Sequence, residues 1–154
     1  MRYNPTVLAR RRHLLFTLAL VAAVVVAGCA ETPTGPSSGA PFSQVDLRIG
    51  AGADAVSGKS VVVNYTGWLY DPAKTDGKGL QFDTSVGTTP LTFTIGAGDV
   101  IQGFDRGVTG MKVGGARRIV VPPSLGYGAA RNNAIPPYAT LVFEVELVEI
   151  VEPQ

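Results

Sequence analysis

The run Ala139-Thr140-Leu141-Val142-Phe143-Glu144-Val145-Glu146-Leu147 constrains this chain more than any other stretch. Leu141, Phe143, Val145 and Leu147 recur at every second residue with Glu144 and Glu146 between them. That is the period of a strand with one face in a core and the other in water. Further strands are needed beside it, and the same period finds them. Val61, Val63, Tyr65 and Leu69 share one face of a second strand, with Asn64 and Thr66 on the other. Val45, Leu47 and Ile49 alternate with Asp46 and Arg48, which predicts a half-buried strand that breaks at Gly50, Gly52 and Gly58. Leu91 to Ile95 and Ala116 to Val121 read as two more, whereas the polar segment from Asp71 to Gly79 reads as a surface excursion.

One brief helix is expected from about Val100 to Val108, with Ile101, Phe104 and Val108 on one face and Gly110 as its stop. Two helical turns are not stable alone, so this helix must lie on the sheet. Ile101 and Phe104 would then floor any cavity on that side. Five strands, one short helix and no βαβ rhythm predict an α+β domain whose sheet is antiparallel with hairpin-like connections.

The N-terminal quarter follows different rules. Residues 1–13 hold Arg2, Arg10, Arg11 and Arg12 with no acid, and residues 14–28 are an apolar run ending in Ala27 and Gly28. This is the layout of a secretory signal, and the run is shorter than the roughly 20 residues of a comfortable membrane span. Loss of residues 1–28 leaves nine basic against 12 acidic residues, a net charge of −3. Nothing in that balance suits nucleic acid. The one histidine, His13, leaves with the signal, and Cys29 is the one thiol. Metal clusters, Cys/His nucleophiles and internal disulfides are accordingly not expected.

Val26-Ala27-Gly28-Cys29 resembles the lipobox of bacterial lipoproteins, which implies that Cys29 becomes the acylated first residue of the mature chain. Arg11-Arg12-His13-Leu14-Leu15 also resembles a twin-arginine export signal. From Glu31 to Ser43 the chain turns to Thr, Pro, Gly and Ser, too polar to bury surface. The expected organisation is a lipoprotein-type signal over 1–28, a flexible linker over 29–44 and a folded domain over 45–154. The cell envelope is the expected location, with a membrane reached through the lipid.

Several ordered motifs, from Val45 to Glu149, resemble the FK506-binding-protein family of peptidyl-prolyl cis-trans isomerases. They are Val62-Val63-Asn64-Tyr65-Thr66-Gly67, Gln81-Phe82-Asp83-Thr84-Ser85, Gly98-Asp99-Val100-Ile101-Gln102-Gly103-Phe104, Tyr127-Gly128 and Ile135-Pro136-Pro137. The resemblance implies a five-stranded antiparallel half-barrel wrapped over one short helix, acting without cofactor on proline-containing polypeptides. It also implies binding of macrolides of the rapamycin and tacrolimus type, and a monomer is expected. Carried over by position, Tyr65, Phe82, Leu91, Val100, Ile101, Phe104, Ile135 and Phe143 would line a proline pocket. Asp83 and Tyr127 would be the polar groups beside the rotating bond, and the Ile101 N–H would receive a substrate carbonyl.

Two departures affect the site. Relatives commonly place an arginine after the Asp-Ser/Thr-Ser motif, where Val86-Gly87-Thr88-Thr89 has none, and the loop from Ala129 to Ala134 is about one residue shorter than in some relatives. Taken singly, Tyr65, Phe104 and Phe143 would suit a core, Asp83 a turn, and Pro136-Pro137 a stiffened loop. Two other readings follow: a non-catalytic module that holds proline-containing segments in the same cavity, and a generic lipoprotein scaffold that binds no macrolide.

Overall fold

A computed structural model of the chain describes residues 39–132 and 134–151. The segment read as a signal, Cys29 with its lipobox-like surroundings, and most of the segment read as a linker lie outside the described residues. Six strands and one helix follow in order: β1 Ser43–Arg48, β2 Ser60–Tyr70, β3 Lys78–Thr84, β4 Leu91–Thr94, α1 Gln102–Val108, β5 Ala116–Val121 and β6 Leu141–Val151. A short 3-10 turn at Pro123–Leu125 opens the long β5–β6 loop.

All pairings are antiparallel, and the sheet runs β1-β5-β6-β2-β3 with β4 also on β2. β2 organises it. One side of β2 pairs with β6 over nearly its full length, and the other is divided between β4 at Ser60–Val63 and β3 at Thr66–Tyr70. Only the β2–β3 and β5–β6 connections join strands that pair directly, so the expected run of hairpins is corrected to a sheet with crossovers. The physical reason is the length of β2 and β6, 11 residues each, which lets one strand serve two partners.

The inward faces of β2, β5 and β6 carry Val61, Val63, Ile119, Val121, Leu141, Phe143, Val145 and Leu147, all buried. Helix α1 closes the core from the concave side with Phe104 and Val108. Its approach depends on two glycines, since a β-carbon on Gly103 would lie 2.4 Å from a Val121 methyl and one on Gly107 2.4 Å from Ile119. On the outer face Glu144 accepts hydrogen bonds from Arg118 and Lys78, tying β6 to β5 and β3.

Two strands differ from the sequence expectation. β3 begins at Lys78, inside the segment read as a surface excursion. Its period is hidden because two irregularities interrupt the β2–β3 register and because Leu80 faces solvent, 69% exposed. β1 exists, but none of its six residues is buried. Asp46 sits opposite the buried Arg117 and Val45 opposite Arg118. The Arg117 Nε donates to Asp46 Oδ1 at 2.6 Å, so the carboxylate and not the apolar row takes the inner side. Register decides which side chains of a strand face inward, and here Asp46 faces inward to Arg117 while the bulge between Asp46 and Arg48 leaves Arg48 on the outer face with Glu146.

Candidate functional site

A cavity of about 430 Å³ opens on the concave face, lined by Tyr65, Phe82, Asp83, Leu91, Gly98, Asp99, Val100, Ile101, Phe104, Tyr127 and Phe143. Its walls come from β2, β3, β4 and β6, its floor from α1 and its roof from the β5–β6 loop.

The floor is a nest of edge-to-face rings. Phe104, 3% exposed, lies 5.2 Å from Phe143, 5.7 Å from Tyr65 and 5.8 Å from Phe93 between centroids. Phe82 meets Phe143 at 5.7 Å and 89°. Rings at these separations attract through their quadrupoles as well as by burial, which holds the wall stiff. Gly67 makes room for it: a β-carbon there would lie 2.6 Å from Phe82 Cζ and 3.0 Å from Phe143 Cε1.

Val100 and Ile101 precede the helix. The expected helical start at Val100 is corrected to Gln102, with Ile101 extended at φ −60° and ψ 145°. The Ile101 carbonyl accepts from the N–H groups of Phe104 and Asp105, whereas none of the described residues accepts from its own N–H. Asp99 Oδ2 accepts from the Thr94 N–H and Asp105 Oδ2 from the Gly96 N–H, which pins the connecting turn before any ligand arrives. Gly96 and Gly98, at φ of 84° and 83°, supply the left-handed geometry this turn requires.

Asp83 is held from both sides. Its Oδ1 accepts from the Thr84 N–H at 2.8 Å, the local turn bond, and its Oδ2 accepts from the Tyr65 hydroxyl at 2.5 Å. The tyrosine hydroxyl therefore engages the carboxylate oxygen that the Thr84 N–H leaves free. Ser85, buried behind this pair, accepts from the Tyr65 N–H at 2.9 Å and fixes β3 against β2 at that point.

Burial, and then the hydrogen bond and the negative charge of Asp83, push the Tyr65 phenol well above its ordinary range. A group whose pKa rises on folding contributes stability that is complete below its unfolded value and is lost above it. Stability should therefore hold below about pH 10 and fall as the unfolded phenol ionises. Denaturant unfolding across the alkaline range should show a shallower loss for Tyr65→Phe than for the parent chain; equal slopes would refute the coupling.

Tyr127 hangs from a loop closed on itself. Pro123 O accepts from the Gly126 and Gly128 N–H groups, Tyr127 O from Ala130, and Gly128 O from Tyr138 at 2.7 Å. Among the described residues nothing bonds the Tyr127 hydroxyl, which leaves it for a ligand. Ile135 is the one expected lining residue that the cavity does not include: it is 5% exposed and belongs to the core. Its N–H and carbonyl bond those of Asn132, and this short bridge turns the side chain inward as packing for the loop. Gly98 and Asp99 also line the cavity and Gly67 makes room for its rings, all three within the motifs that carry the family resemblance.

The family model for FKBP-type peptidyl-prolyl cis-trans isomerases matches residues 52–148. An FK506-binding protein of Neisseria meningitidis is 48% identical over 109 residues, covering 70% of this chain and 94% of that protein. FK506-binding protein 2B of Rhizopus delemar is 43% identical over 146 residues, 91% of this chain and 64% of the relative. Among solved structures, AtFKBP13 aligns with a TM-score of 0.61 and 33% identity over 71% of this chain and 93% of its own. FkpA from Escherichia coli aligns at 0.59 and 39% identity over 71% and 47%.

Proposed function

Because the chain belongs to the FKBP-type peptidyl-prolyl cis-trans isomerase family, we propose that its cavity rotates X-Pro bonds of exported polypeptides by desolvation and transition-state binding. The observation that carries this is the cavity itself, where five aromatic residues and two carboxylates, Asp83 and Asp99, meet in about 430 Å³.

Rotation must overcome amide resonance, a barrier of about 18–20 kcal/mol. The twisted bond has less charge separation than the planar one, so an apolar wall favours it over the ground state, and only such differential binding raises the rate. The ring would rest against Phe104, Tyr65 and Phe82 while the preceding carbonyl swings, with the Ile101 N–H taking a second carbonyl. Asp83, its Oδ2 engaged by Tyr65, fits a positioning and electrostatic role better than proton transfer. Tyr127 supplies a hydroxyl from the roof.

A prolyl-isomerisation assay on residues 39–154 tests this, and a wild-type rate equal to the thermal one would overturn it. Asp83→Ala should lower kcat/KM about tenfold or more, on the scale of a hydrogen bond involving a charge, and Tyr127→Phe about two- to tenfold. Binding of tacrolimus-type macrolides follows from the same cavity and is read out in the same assay as inhibition.

The same reading places Cys29 as the lipid attachment point, the chain on the membrane face of the cell envelope, and the linker as its tether. Release of Cys29→Ser from the membrane fraction is the expected result. A second reading, a chaperone module that holds client segments, is favoured by the exposed Leu80 and Val86 beside the pocket strand and by Tyr138 on the roof loop. Tyr138 keeps a bulky ring at φ 58°, where a side chain is strained, while 69% exposed. Suppression of client aggregation that survives Asp83→Ala would select that reading.

A further inference from the structure

Three apolar side chains on and just after the first strand stand uncovered: Val45 is 60% exposed, Leu47 48% and Ile49 77%. β1 lies at one edge of the sheet, with β5 as its one strand partner. Beyond it Ile49 opens a shallow groove shared with Val113, Leu147 and the half-exposed Val148.

An outermost strand ordinarily invites another strand. This one is guarded against it. Its register breaks between Asp46 and Arg48, and both charged side chains are tied down, Asp46 to Arg117 and Arg48 to Glu146 and the Gly114 carbonyl. Bulges and charges of this kind prevent strand addition, by a second copy or by a client. They do not deter a partner that accepts apolar side chains and asks for no backbone hydrogen bonds, such as the boundary between headgroups and acyl chains of a bilayer.

Chain length points to the same partner. Ser43 lies 14 residues after Cys29, and the intervening sequence is rich in Pro, Gly and Ser. A chain of that length spans on average about 20 Å and at most about 48 Å. A lipid on Cys29 therefore keeps the start of β1, the strand that the tether enters, within about 48 Å of the surface. We infer that this edge of the sheet, through the exposed Val45, Leu47 and Ile49 on either side of the bulge, docks on the bilayer that holds the Cys29 lipid, an inference that rests on the lipid-anchor reading above. Effective concentrations given by short tethers are on the order of millimolar, so a weak contact suffices. The sheet order adds a consequence. β1 and β3 are four strand spacings apart, about 19 Å, so a domain seated on β1 holds Phe82 and Asp83 away from the lipid, toward arriving polypeptide.

The sequence has one cysteine, and acylation would occupy it, so an added thiol can be labelled alone. The full chain is expressed with its leader in a bacterial host as Ile49→Cys or Val86→Cys and labelled with an environment-sensitive fluorophore. It is then reconstituted in phosphatidylethanolamine–phosphatidylglycerol vesicles with or without brominated acyl chains. The label at 49 should be quenched several-fold more than that at 86, and Val45→Ser with Leu47→Ser in the Ile49→Cys chain should remove the difference. Equal quenching at 49 and 86 in an acylated chain overturns the β1 contact alone. A signal that follows protein density and not lipid bromination overturns it in favour of a second copy. A chain without acyl mass on Cys29 overturns the anchor and this inference together.

Discussion

Phe104→Ala should lower the unfolding free energy by about 3–5 kcal/mol and take most of the isomerase activity with it. The ring is 3% exposed and touches three other rings, all within 5.8 Å between centroids. Truncation removes these contacts from a floor that is shared by the core and the cavity. The vacated space is continuous with the cavity, so it can fill with water, which would replace the dry surface on which the twisted bond depends. Stability and activity should therefore fall together, and Phe104→Leu should restore most of the stability but little of the activity. Denaturant unfolding midpoints and kcat/KM measured on the same preparations decide it. An alanine variant that unfolds at the parent midpoint would show that the ring is not part of the core.

Gly107→Ala should destabilise the domain by about 1–3 kcal/mol, the scale of overpacking in a tight interior. The sign is the informative part, because the same change in an exposed helix stabilises by up to about 1 kcal/mol. Here the new methyl would lie 2.4, 2.7 and 2.7 Å from three atoms of Ile119, a side chain with no exposure of its own. Ile119 cannot swing away, so α1 must lift, and Phe104 and the Ile101 turn lift with it. Gly103→Ala meets Val121 in the same way. Pairing Gly107→Ala with Ile119→Val should recover part of the loss, and an unchanged or raised melting temperature for Gly107→Ala alone would contradict the close approach of helix and sheet.

These two positions also show where sequence and structure part. Phe104 was legible as helix face and cavity floor because a 3.6-residue period places it beside Ile101 and Val108. The two helix glycines were legible only as poor helix formers. Their use appears when Val121 and Ile119 from β5 are brought beneath them, a contact between segments separated in the chain. β6 and β2 were legible because Leu141, Phe143, Val145 and Leu147 in one, and Val61 and Val63 in the other, are buried at every second residue. β3 was not, since Leu80 points to water and the register with β2 slips twice.

In the site, the aromatic walls followed from ordered motifs, yet the partner of Asp83 did not. No local pattern indicates that the Tyr65 hydroxyl would take the carboxylate. Ile135 sits buried behind the Asn132 bridge, in the same core cluster as Phe104 and Phe143.

Read alone, the amino-acid order determined the antiparallel class of the sheet, the short helix and the aromatic character of one face, because side-chain alternation and helical period are local properties of the backbone. The tertiary structure alone decided which face of β1 turns inward, how closely α1 approaches the sheet and which group holds Asp83. Each of those outcomes depends on the distance between atoms far apart in the chain, and packing and ion pairing set that distance only once the strands have met.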